Sequence, residues 1–345
     1  LDIVETLLLS ESDVLEVLTM RDVIECCDLT FQGFGQGTTI NPTKVTPDLG
    51  ENAPFPAYEG FMNAMPAYIG WQDTAGIKWV GGFLGERRKR GLPYIVGMIL
   101  LIDPRLGVFK AALDGSLITN WRTGAQTAVA LKYLKQHKKS LKIGLYGAGM
   151  QGRTQTMAIS EIFDISELKV YDIRKEAALD FAKSMQSYVK GDIVVCDSPD
   201  QVTGGADAVI SVTQAQEPYI KKEWIEPGTI VFPMGSYQEC DDQVILDADA
   251  IVVDHVGQAL HRGALKHLVD NGELSEQDLT ATIGELSIGE KCVEDIESKK
   301  VICVPIGTGA MDISVAQFVL DRAKEKGLGG KFDFLPSYQA AQLTL

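Results

Sequence analysis

Gly147-Ala148-Gly149-Met150-Gln151-Gly152 follows the apolar run Ile143 to Tyr146 and precedes a helical pattern from Thr154 to Ile159. Glycines spaced G-x-G-x-x-G between a strand and a helix suit one kind of chemistry. Gly147 permits the tight turn, Gly149 lets a pyrophosphate approach the backbone, and Gly152 lets helix and strand pack closely, so that phosphates rest on the helix N-terminus. A second apolar run, Leu168 to Tyr171, ends in Asp172, about 20 residues past the last glycine, where a carboxylate accepts hydrogen bonds from an adenosine ribose. Together they predict a dinucleotide site; the less specific alternative is an ordinary α/β turn with Asp172 as a helix cap. Asp172 repels a 2′-phosphate and accepts from a free 2′-hydroxyl, which favours NAD(H), while Arg174, two residues on, leaves NADP(H) open.

The elements that must position this turn alternate. Strand patterns at Ile143–Tyr146, Leu168–Tyr171, Ile193–Cys196, Ala208–Thr213, Thr229–Phe232 and Ala250–Val253 are separated by helical ones such as Lys175–Val189. Such alternation predicts βαβ crossovers and a parallel sheet of Rossmann type covered on both faces. Ahead of it, Ser12 to Phe34 reads as one or two helices capped by Ser12 or Thr19. Strand runs then follow at Ala67–Trp71, Ile77–Leu84, Tyr94–Ile102 and Val108–Leu113. Short turn segments separate these runs, so an antiparallel sheet is expected. Helical patterns occupy Asn120–Leu134 and Asp312–Lys326. The fold class is α/β, a Rossmann-type parallel-sheet domain with a second, α+β domain.

Composition narrows the function. The 345 residues, 45% hydrophobic, are enough for two cored domains. No apolar run approaches the roughly 18 residues of a membrane helix, so no membrane association is expected. The net charge of −15 argues against nucleic acid or an anionic membrane as partner, and an anionic substrate must be drawn in by a local cluster of bases. Six cysteines without C-x-x-C read as thiols of a reducing, cytoplasmic compartment. Leu1 to Glu5 lack the basic region of a secretion signal. Four histidines without H-E-x-x-H or i, i+4 pairing predict no metal site.

Met65-Pro66-Ala67-Tyr68, Gly76-Ile77-Lys78-Trp79-Val80, Gly91-Leu92-Pro93, Leu113-Asp114-Gly115, Trp121-Arg122-Thr123-Gly124-Ala125, the Gly147 turn and Gly307-Thr308-Gly309 occur in that order over most of the chain. This ordered set resembles the ornithine cyclodeaminase/mu-crystallin family. The resemblance implies a homodimer of two-domain subunits: residues 1–120 with 313–345 for substrate binding and dimerisation, and 121–312 for NAD(P). It also implies hydride transfer between a nicotinamide and a carbon bearing nitrogen, on a small amino acid or its imino or keto acid counterpart. The cofactor carries the difficult step and the protein supplies orientation and charge.

By position, Lys78 and Arg122 match the family's substrate-carboxylate ligands. Arg offers a carboxylate a planar fork, and a buried lysine with a depressed pKa suits proton shuttling to the substrate nitrogen. Lys44 falls where the family usually has arginine, a point charge in place of a fork. Asp312 matches an acid close to the substrate amine or the cofactor, with helix capping as its alternative role. Thr123 and Gly124 are expected at the phosphate-facing end of their helix. Thr213 and Gly235 complete the cofactor edge, Thr213 having strand-end capping as its alternative.

The chain departs from cyclodeaminases after Gly235. The loop Ser236-Tyr237-Gln238-Glu239-Cys240-Asp241-Asp242 is about three residues shorter and has Tyr237 where those enzymes carry a catalytic aspartate. Either Glu239 or Asp241 reaches in instead, or the reaction needs only an imine reduced, with Lys78 or water supplying the proton. The second is favoured, because Glu239 and Asp241 match acids that begin the next helix in relatives. Arg87-Arg88-Lys89-Arg90 reads as a solvated hairpin tip or as a lure for anions. His255 is left outside the catalytic set. Three functions follow in order: an imine reductase or amino-acid dehydrogenase, a cyclodeaminase of ornithine or lysine, and a non-catalytic NAD(P)H-binding protein of the crystallin kind.

Overall fold

The computed structural model describes residues 5–47, 60–83, 87, 89–215, 217–235 and 238–334. Arg88 of the basic run, and Ser236 and Tyr237 of the shortened loop, lie outside them. The chain divides into two units. One comprises Leu1–Gly33, Gly37–Arg122 and Thr308–Leu345, the other Phe34–Gln36 and Thr123–Gly307.

The first unit is built on strands β1 (Thr6–Leu9), β2 (Thr39–Ile40), β3 (Gly60–Ile69), β4 (Thr74–Phe83), β5 (Ile95–Ile102), β6 (Phe109–Asp114) and β15 (Gly330–Phe332), in the order β15-β1-β6-β5-β4-β3-β2. β3 to β6 form an antiparallel meander. The sheet is nevertheless mixed, because β1 runs parallel to β6. Thr6-Leu7-Leu8-Leu9 is a short apolar run without alternation, and a parallel neighbour needs no adjacent turn, so neither usual signal of a strand marks it. Two helices follow β1. Ser10 caps α1 (Glu11–Val17) through a capping box with Asp13, so the expected cap Ser12 lies inside the first turn. Thr19 and Asp22 close the start of α2 (Met20–Gly35) in the same reciprocal manner.

Period-two alternation decides which side chains of the meander are buried. Met65, Ala67, Lys78, Val80, Ile99, Leu101 and Leu113 turn inward. The C-terminal helix α10 (Gly309–Lys326) covers that face. Its approach is close: a Cβ at Gly309 would stand 2.5 Å from the Met65 carbonyl oxygen, and one at Gly76 would stand 3.1 Å from Ile313. Opposite, the register Ala64–Trp79–Met98 lies on the outer face, with Trp79 58% and Met98 57% exposed.

The second unit holds β7 (Ser140–Tyr146), β8 (Asp164–Tyr171), β9 (Asp192–Val195), β10 (Ala208–Ser211), β11 (Ile230–Pro233), β12 (Ala250–Val253), β13 (Ala281–Thr282) and β14 (Val301–Val304). All neighbours pair in parallel, in the order β13-β12-β14-β11-β10-β7-β8-β9. The chain steps outward from β7 to β9 and then crosses to the other flank at β10. The β7/β10 edge is therefore a topological switch point, where open α/β sheets bind ligands. Interspersed are α4 (Met150–Ile162), α5 (Lys175–Met185), α6 (Asp242–Leu246), α7 (Val256–Ala259), α8 (Lys266–Asp270) and α9 (Ile283–Ser287). The expected alternation is present, and β14 lies unanticipated within it, between β12 and β11.

Helix α3 (Ser116–Leu134) begins earlier than expected. Asp114, at the end of β6, accepts from the backbone N–H of Ser116 and Leu117 at 3.1 and 2.9 Å, and so caps it. Thr123 and Gly124 consequently lie inside α3, not at its end. Among the described residues no helix is long and apolar enough to cross a membrane.

Candidate functional site

β7 runs directly into the glycine turn. Gly147 has φ +99, in the left-handed region that only glycine adopts without strain, and its N–H donates to the Tyr171 carbonyl at 2.9 Å. A Cβ at Gly152 would stand 2.3 Å from the Gly147 oxygen, so α4 needs glycine there to start against the strand. A Cβ at Gly149 would meet nothing within 4 Å. That open ground lies at the N-terminus of α4, where Gly149 is the cap and no side chain caps the helix. Met150 is 61% exposed and Gln151 is half-buried. Exposed helix N–H groups beside empty space fit a pyrophosphate.

Asp172 is tied into this turn. One carboxylate oxygen accepts from Ala148 N at 2.9 Å and the other from Arg174 N at 2.9 Å. Each oxygen keeps a lone pair for a ribose hydroxyl. Ile173 is 91% exposed, and the exposed Arg174 side chain forms a long ion pair with Asp172, Nε to Oδ1 3.9 Å. Thr123 is further along: its carbonyl accepts from Gln155 Nε2 of α4 at 3.2 Å. Gly124 is a packing glycine, since a Cβ there would stand 2.3 Å from the Thr154 oxygen.

Thr213 and Gly235 converge on Glu239, a side chain with 0% exposure. Glu239 Oε1 accepts from Ser211 Oγ at 2.5 Å, Thr213 N at 3.0 Å and Thr213 Oγ1 at 2.8 Å, and Oε2 accepts from Gly235 N at 2.8 Å. So engaged, Glu239 is an acceptor within the sheet edge. Asp241 precedes α6 at the cap position and makes no side-chain cap bond. His255 stands at the N-cap of α7, its ring edge-on to Phe34 at 6.0 Å.

A second constellation lies in the first unit. Lys78, on β4, is flanked by Met65 of β3 and Ile99 of β5 and faces inward. Its Nζ is 2.6 Å from Asp312 Oδ2 and 3.3 Å from Thr119 Oγ1. Arg122 Nε donates to Asp312 Oδ1 at 3.2 Å. Asp312 sits inside α10, not at its cap. The cap role falls to Asn41, whose Oδ1 accepts from Ala310 N at 3.0 Å, a contact between residues far apart in sequence. Burial pulls the Lys78 ammonium down to about 7, aided by Arg122 and Lys44, while Asp312 pulls the other way. The buried Lys78 and Arg122 thus both bond Asp312, and the half-buried Lys44 is near enough to act on Lys78. Cations gathered here suit an anionic substrate, and a lysine near neutrality can give or take a proton.

Lys44, Lys78, Arg122 and Asp312 are therefore gathered in one unit, and the glycine turn, Asp172, Thr213 and Gly235 in the other. A cavity of about 880 Å³ in the second unit, lined by Tyr133, His137, Cys292 and Ile296 among others, includes none of these residues. Five of the six cysteines are buried and Cys292 is exposed. Among the described residues no three His, Cys, Asp or Glu side chains group as a metal site would require.

The family model of the ornithine cyclodeaminase/mu-crystallin family matches residues 4–327. The chain belongs to that family. It is 31% identical to an alanine dehydrogenase of Archaeoglobus fulgidus over 96% of this chain and 99% of the relative. A solved archaeal alanine dehydrogenase dimer with bound NAD superposes with a TM-score of 0.86 at 30% identity, over 96% of this chain and all of that one. The Δ1-pyrroline-2-carboxylate reductase of Thermococcus litoralis, solved with NADH and L-proline, gives 0.85 at 30% identity, over 94% and 99%. The α/β fold with its second sheet is that of these family members.

Proposed function

We propose that this chain is an NAD(H)-dependent oxidoreductase acting on the C–N bond of an amino acid or its imine. The observation that carries the reading is the buried Lys78–Asp312–Arg122 cluster in a chain that also has the glycine turn with Asp172. When bound, the nicotinamide gives or takes the hydride. Arg122 holds the substrate carboxylate with Lys44 as an added positive charge, and Asp312 keeps both buried cations in place. Lys78 donates a proton to the nitrogen in reduction and accepts it in oxidation. Asp172, bonded into the turn with room for a ribose hydroxyl, favours NAD(H), and Arg174 beside it keeps NADP(H) open.

Simple reduction is preferred over cyclodeamination because Glu239, one of the two loop acids that could replace the cyclodeaminases' aspartate, is bonded four times, and the other, Asp241, stands at the start of α6. The exposed apolar face carrying Trp79, Met98 and Val96 supports a homodimer in which a second copy covers it. Free, mostly buried thiols suit the cytoplasm. The test is NADH oxidation screened over 2-keto acids with ammonia or methylamine and over cyclic imines. Ammonia release from ornithine or lysine without net NADH change would make the chain a cyclodeaminase instead. Tight NADH binding with no turnover of any of these would make it a binding protein.

A further inference from the structure

Glu239 does more at the sheet edge than fill space. Its two oxygens take N–H groups from two different strand ends: Thr213, just past β10, and Gly235, just past β11. A trans peptide points its C=O opposite to its N–H. By drawing in Thr213 N, Glu239 turns the Val212 carbonyl the other way. That oxygen lies against the glycine turn, 2.9 Å from where a Cβ on Gly147 would stand. By drawing in Gly235 N, it likewise turns the Met234 carbonyl away from itself. β10 and β7 are the neighbours that form the switch point, with Ser211 in register with Tyr146. Both hydroxyls of the Ser211/Thr213 pair are also spent on Glu239, and Tyr219 Oη closes the cluster at 2.5 Å from Ser211 Oγ and 3.2 Å from Thr213 Oγ1. Thr213 therefore has no donor left for a ligand. The acceptors left at this edge are the Val212 carbonyl, which faces the glycine turn, and the Met234 carbonyl. Even Gly235 is explained, since a Cβ there would stand 2.7 Å from the Glu239 carboxyl carbon.

We propose that Glu239 is a positioning residue for the nicotinamide half of the dinucleotide: it fixes the Val212 and Met234 carbonyls as acceptors for that half's donors, its ribose hydroxyls and carboxamide N–H. The adenosine and pyrophosphate depend instead on the glycine turn and Asp172. This rests on the NAD(H) reading above. A carboxylate is suited to the role because it accepts from every side and donates nothing, whereas an amide would set an NH₂ group against donors.

The experiment compares NADH with ADP, which lacks the nicotinamide half, by titration calorimetry on the full-length wild type and Glu239→Gln. The expected result is NADH weakened by roughly tenfold or more, the scale of a charged acceptor lost from a hydrogen-bonded set, with ADP affinity unchanged. Ser211→Ala, which removes one of the four donors, should move NADH in the same direction by less. It carries the same comparison should Glu239→Gln fail to fold. Unchanged NADH affinity in the folded variants overturns the proposal, and so does an equal loss of NADH and ADP, which would mark Glu239 as a general structural group. Failure of the wild type itself to bind NADH is a separate result, which overturns the functional reading and this role together.

Discussion

The Lys78 ammonium and the Asp312 carboxylate meet at 2.6 Å with 1% and 0% of their side chains exposed. The pair joins the central strand of the meander to the C-terminal helix, and the same carboxylate also receives Arg122. Replacing Asp312 by Asn would take from the buried Lys78 its ion-pair partner, a loss of about 3–5 kcal/mol when one partner of a buried pair is removed. Asp312→Asn should therefore lower the melting temperature and reduce kcat/KM by roughly 100-fold or more. A variant that melts and turns over like the wild type would refute the shared counter-ion.

The Lys78 value of about 7 sets the pH dependence. Reduction needs the ammonium, so kcat/KM in that direction should fall as pH rises through about 7, and oxidation should rise over the same range. Stability follows its own rule. Below about 7 both folded and unfolded chains carry the proton; between there and the ordinary 10.5 only the unfolded chain does. The unfolding free energy should climb with pH across that window, and Lys78→Met should flatten the slope in denaturant titrations.

Arg122 separates charge from shape. Arg122→Ala should reduce kcat/KM by more than about 100-fold, as expected for a lost charged pair, and Arg122→Lys should recover only part of it because a point charge replaces a fork. The two variants should differ little on a substrate lacking the carboxylate. Equal loss on substrates with and without the carboxylate would show that Arg122 holds only the fold.

Asp172 both braces the turn and faces the ribose, so its replacement should not simply convert the cofactor preference. Asp172→Ala should weaken NADH by about tenfold, since Ala148 N–H loses its acceptor, without raising NADPH efficiency to the wild-type NADH level. A wild type at least ten times more efficient with NADPH would end the assignment of NAD(H).

What was legible in the sequence was what is local. The glycine turn, the strand–helix alternation after residue 140 and the strand run that forms β4 each sit within one stretch of chain. The Lys78, Arg122 and Asp312 set rested on family resemblance alone, because three residues on a strand and two helices carry no shared spacing. Short elements escaped: β1 and β14 are four-residue apolar runs without alternation, and β14 has no signal that it belongs between β11 and β12. The start of α3 was placed too late because Asp114 reads as a turn residue until it is seen to cap. The capping role of Asn41 and the bracing role of Glu239 lie beyond the sequence for another reason. Each acts on backbone N–H groups whose availability depends on tertiary packing, and side-chain type alone does not announce that.

The Asn41–Ala310 hydrogen bond and the β1–β15 pairing impose an order on how the chain acquires its structure. Residues 123–307 form one continuous stretch and have all their sheet partners once that stretch has left the ribosome. The meander, made earlier, stays without its covering helix until residues 309–326 emerge. Asp312 arrives with them, so the buried Lys78 gains its carboxylate partner only in the last stage of synthesis. A nascent chain cut short before α10 would hold a complete parallel sheet and a meander whose Lys78 still lacks its carboxylate.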